Sequence, residues 1–142
     1  MGKINMGRVL LGGLVAGIVS DILGFLIDGW LLAPRWTDGM QALGKPAALT
    51  THQIIGFNGL GIICGIALIW LYAAIRPRFG AGAKTAVLTG LFFWFVTVLL
   101  PNASFMYITH LFSKHLTLYT TLGGVVELVA AALAGAALYK ES

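Results

Sequence analysis

Four stretches of this chain, roughly Val9 to Ala33, Ala48 to Ile75, Thr85 to Thr109 and Leu116 to Tyr139, stay apolar for longer than the about 20 residues a helix needs to cross a hydrocarbon core. A bilayer interior offers no water to backbone N–H and C=O groups, so such runs satisfy themselves as helices. The expected fold is therefore all-α. It is a polytopic integral membrane protein, a four-transmembrane-helix bundle that occupies residues 1–142 as a single domain. The 142 residues are 58% hydrophobic and only 10% charged, where a soluble protein carries about 25% charged residues.

The connections read as Pro34 to Ala47, Arg76 to Lys84, and a tight turn at Ser113 to His115, each marked by Pro, Gly or small polar residues. Four spans place both termini on one side. On that side fall Lys3, Arg8, Arg76, Arg78, Lys84 and Lys140, against Arg35, Lys45 and Lys114 on the other. The positive-inside rule then makes both termini cytoplasmic, in a bacterial inner membrane. Trp30, Trp36, Tyr107 and Tyr119 form the expected outer aromatic belt, and Trp70, Tyr72 and Tyr139 the inner one. The nine basic residues and net charge of +4 thus serve orientation and headgroup contact, with no nucleic-acid partner implied. The first run also follows two basic residues as a leader would, but it continues without a clear small-x-small cleavage site and reads as a span.

Three of the five acidic residues, Asp21, Asp28 and Glu127, lie inside these runs. Each costs roughly 2.5 to 3.5 kcal/mol at the bilayer centre, so it must face protein or a wet cavity. Gly13, Gly17, Ser20, Gly24 and the two aspartates recur at helical spacing on one face of the first span. Gly123, Gly124, Glu127, Ala131 and Gly135 do so on the fourth, and Gly61 and Gly65 mark a close-approach surface on the second. Small faces are where membrane helices pack. Asp21 and Glu127 fall at similar mid-span depth, and two carboxyls sharing a low-dielectric site favour one shared proton. Hydrogen bonding within the bundle is the competing role for each acid.

Toward the outer side, His52, Gln53, Asn58, Asn102 and His110 accompany Asp28, and together they outline a polar cavity opening outward. Pro101 frees a carbonyl that is expected to line it. Asn58 and Asn102 read first as helix-to-helix hydrogen bonds. His52 and His110 have depths that permit ligation of a haem iron, although a histidine at a helix end is equally well simply solvated. His115, beside Lys114, reads as a headgroup contact.

Cys64 is the lone cysteine and has no metal-ligand spacing, so no metal site is expected. The Gly-rich stretches at 56–61 and 80–85 lack the context or spacing of nucleotide loops. The Asn102-Ala-Ser104 sequon lies inside a span. No nucleophile and base pair appears, which disfavours hydrolytic or phosphoryl-transfer catalysis.

The stretches from Arg8 to Gly17, from Trp70 to Gly80 and from Ala134 to Glu141 resemble those of small four-helix membrane proteins of bacteria that have no assigned function. The resemblance implies a four-helix bundle and carries over no activity. The leading functional expectation is an accessory or assembly subunit of a membrane complex, or a homo-oligomer packed through its Gly and Ala faces. Proton-linked passage of a small polar or cationic solute through Asp21, Asp28 and Glu127 is the alternative. A redox subunit holding haem or quinone is the third.

Overall fold

The computed structural model describes residues 3–141, and every regular element in them is helical. Helix α1 (Met6–Gly24) starts where Asn5 accepts a hydrogen bond from the Arg8 amide at 3.2 Å, covering one of the orphan donors of a helix start. It runs on into a π-helical segment, Phe25–Leu31, which closes with the Leu32 amide on the Ile27 carbonyl at 2.8 Å. The chain then turns into α2 (Ala33–Ala42), with Pro34 in its first turn, where a missing N–H costs nothing. Helix α3 (Thr51–Phe79) opens with a reciprocal cap between Thr50 and Gln53.

The third long stretch is α4 (Ala83–Trp94), a π-helical turn at Phe95–Leu99, and α5 (Leu100–Tyr107). Pro101 explains the interruption. A proline cannot donate to the carbonyl four residues back, and the widened turn just before it absorbs the mismatch. Helix α6 (Lys114–Leu138) is capped by Ser113, which accepts from the Leu116 amide at 3.2 Å.

Four helical stretches are long and apolar enough to cross a membrane: Met6–Leu31, Thr51–Phe79, Ala83–Tyr107 and Lys114–Leu138. They overlap the four expected runs and shift several ends. Helix α3 passes through Pro77 to Phe79, four residues past its expected end. His115 lies in the first turn of α6, and the preceding turn occupies 108–113. The expected loop after Pro34 contains α2.

Helix α1 packs on α3 and on α6, α6 packs also on α4, and α1 does not touch α4 among the described residues. Glycines permit the closest approaches. A Cβ at Gly12 or at Gly135 would stand 2.6 Å from the other residue's carbonyl oxygen, and one at Gly65 would meet the backbone of Gly13 and Gly17. The buried core gathers at one end: Val9 and Ala16 of α1, Leu68, Ile69, Tyr72 and Ala73 of α3, Ala86 of α4, Ala131, Ala132 and Ala136 of α6, and Tyr139.

Tyr72 and Tyr139 depart from the expected inner belt. They are 3% and 4% exposed and stack edge to face with centroids 5.9 Å apart. Their hydroxyls accept from the Gly82 amide at 3.1 Å and the Asn5 amide at 3.3 Å. Arg76 lies over the Tyr139 ring and reaches Glu141 at 3.4 Å. This end is closed.

The opposite end is loose. Every residue from 51 to 60 is exposed, and Gly56 and Gly59 would meet nothing within 4 Å if given a Cβ. Among the described residues α3 touches neither π-helical segment, nor α2, nor α5. Its first ten residues, about 15 Å at 1.5 Å per residue, are exposed throughout.

Candidate functional site

Ser20 and Glu127 meet at the junction of these two regions. The Ser20 hydroxyl donates to Glu127 Oε1 at 2.5 Å, joining α1 to α6. Gly24, one turn along α1, leaves room for the carboxylate, since a Cβ there would lie 3.7 Å from Oε2. Glu127 is also within electrostatic reach of Asp21 and Asp28. Asp21 and Asp28 lie on the first span and Glu127 on the fourth.

Their partners differ. Asp28 accepts from the Trp36 indole at 3.1 Å; Trp36 comes from α2, which the bend at Leu32 folds back toward the span. Asp21 is half-buried on the α3 side of α1 and has no hydrogen-bond partner among the described residues. Its carboxylate fills the space that a side chain at Gly61 would need. Gly61 is where α1 and α3 part, so Asp21 marks the foot of the opening between α1 and the exposed first third of α3. Cys64 is exposed one turn away on α3.

The other expected site residues do not assemble around this opening as one pocket. His52 and Gln53 are exposed on the first third of α3, and the Gln53 side chain is spent on the Thr50 cap. Asn58 donates to the Ile54 carbonyl of its own helix at 2.7 Å. Asn102 lies across the molecule, donating to Thr121 Oγ1 at 2.8 Å and Thr120 Oγ1 at 3.3 Å. It ties α5 to α6, the helix-to-helix role expected of it, while the reason Asn58 behaves differently is that α3 has no neighbour there. His110 is exposed in the loop after α5 at φ 50°. No group of three His, Cys, Asp or Glu among the described residues is placed to hold a metal ion.

Three partners escaped the sequence reading. Trp36 lies eight residues beyond Asp28, outside helical spacing, and meets it only because the chain turns. Thr120 and Thr121 were unreadable as partners of Asn102 because hydropathy does not say which faces meet. Gly61 was legible as a close-approach position, but its role as the seat of Asp21 was not.

The small-residue faces are largely occupied within the chain: Gly12, Gly13 and Gly17 meet Gly135, Ile66 and Ile62, Gly90 meets Leu128 and Val129, and Gly124 meets Trp94 and Val98. No family model matches this sequence, and no curated protein or solved structure is significantly similar to it.

Proposed function

We propose that this chain is a small multi-pass subunit of the bacterial inner membrane, with both termini cytoplasmic, whose four helices form a bundle that receives a transmembrane helix of a neighbouring subunit or of a second copy. The observation that carries this reading is the exposed first third of α3, with unpartnered Asp21 at its foot. In hydrocarbon, a half-buried carboxyl without a donor stays costly until a neighbour supplies one. An exposed helical stretch of about three turns offers a surface suited to packing by another helix. Because the Gly and Ala faces are engaged inside the chain, docking uses this surface.

A photoreactive residue at position 58, on the same helical face as Gly65 and Ile69, tests this in native membranes. Strong adducts to a membrane protein from position 58 and weak ones from lipid-facing position 70 are expected. Lipid-only adducts from both positions overturn the reading.

A second reading, proton-linked binding of a small cationic solute, draws on the placement of three acids, Asp21, Asp28 and Glu127, inside the spans. It makes the opening aqueous. Rapid labelling of Asn58→Cys, in a Cys64→Ser background, by a charged impermeant maleimide would favour it over subunit docking.

A further inference from the structure

We propose that the groove between the end of α3 and the first turns of α4 seats one acyl chain of an anionic phospholipid, with the lipid phosphate on Lys84. The groove holds about 260 Å³ and is lined by Phe79, Lys84, Thr85, Val87, Leu88 and Leu91. Lys84, Val87, Leu88 and Leu91 recur at helical spacing, so they form one strip on α4. That strip runs about 10 Å from Lys84 to Leu91.

Its polarity is sharply divided. The Thr85 hydroxyl is spent on the Gly80 carbonyl at 2.7 Å and the Phe79 carbonyl at 3.2 Å. The Lys84 ammonium is then the one polar group of the lining left for a ligand, and it has no carboxylate partner among the described residues. Arg78 is exposed on α3 and is not part of the lining. Arg76 turns away, toward Tyr139 and Glu141. A cationic residue on a largely apolar trough is complementary to an anionic amphiphile with one chain in the trough. An apolar partner helix would leave Lys84 without a counter-charge. A basic residue near an anionic membrane surface strengthens lipid association about fivefold, so Lys84 favours an anionic headgroup over a zwitterionic one.

The full chain, purified in mild detergent and exchanged into mixed phosphatidylglycerol and phosphatidylcholine, is read for retained lipid by native mass spectrometry. Phosphatidylglycerol is expected to be retained in preference, with that preference falling about fivefold in Lys84→Gln. Leu88→Trp fills the trough and is expected to remove retained lipid of both kinds, while helix content by circular dichroism stays unchanged. Equal retention of the two lipids by the unaltered chain overturns the proposal. So does a preference that survives Lys84→Gln, or retention that survives Leu88→Trp. If Leu88→Trp instead changes the oligomer mass and leaves lipid retention intact, the trough belongs to a protein contact and the proposal fails.

Discussion

Gly65 and Gly61 face the same helix and fail differently when changed. At Gly65 a methyl group meets the backbone of Gly13 and Gly17, which cannot move without separating α1 from α3. Overpacking of this kind costs about 1 to 3 kcal/mol. At Gly61 the obstacle is the end of the Asp21 side chain, which can swing into the opening. Gly65→Ala is therefore expected to destabilise the fold by about 1 to 3 kcal/mol in a reversible detergent unfolding assay. Gly61→Ala is expected to cost much less when combined with Asp21→Ala than alone, and strict additivity of the two changes would contradict this seating of the carboxylate. Spacing alone placed Asp21, Ser20, Gly17 and Gly13 on one face. The 2.5 Å contact of Ser20 with Glu127 was beyond it, because helical periodicity orders residues along one helix and is silent on which helix lies opposite.

At the scale of elements, the same division recurs. The four spans were visible because lipid demands length and apolarity together, and both can be counted. Helix α2 was hidden: ten residues containing Pro34, Gly39, Arg35 and Asp38 carry no spanning signal and read as a loop. What makes α2 an element is its contacts. Trp36 stacks on Phe112 with centroids 5.4 Å apart, Gly39 lies close to Leu116 and Phe112, and Arg35 sits over the Tyr119 ring at 4.8 Å. An aromatic pair is worth about 0.5 to 1.5 kcal/mol beyond its area, and the indole bond to Asp28 adds about 1 kcal/mol. Trp36→Ala is accordingly expected to speed amide exchange in Ala33–Ala42 by roughly thirtyfold, near 2 kcal/mol, with the exchange of α6 unaffected. Equal acceleration throughout the chain would mean that α2 is not a separable unit. The two π-helical segments also went unread, although Pro101 located the cause of one of them.

Across the whole molecule, packing is polarised: one end holds the buried core and the tyrosine pair, and the other leaves the first third of α3 exposed. Hydropathy could not separate these ends, since an apolar side chain is equally at home against lipid and against another helix. Helix α6 is the common neighbour of the structure, touching α1, α3, α4, α5, α2 and both π-helical segments. Without it, Ser20 lacks Glu127, Asn102 lacks its two threonines and Gly12 lacks Gly135. Helices α1 and α3 pack directly on each other, whereas α4 packs more extensively on α6 than on α3. A chain ended at Ser113 is expected to insert and then be degraded several times faster than the full chain in a pulse-chase experiment, and supplying 114–142 as a separate span is expected to restore its lifetime. A bundle organised around one common neighbour is most vulnerable at that member: without α6, Ser20 and Asn102 are both left as unsatisfied polar groups inside membrane-length helices.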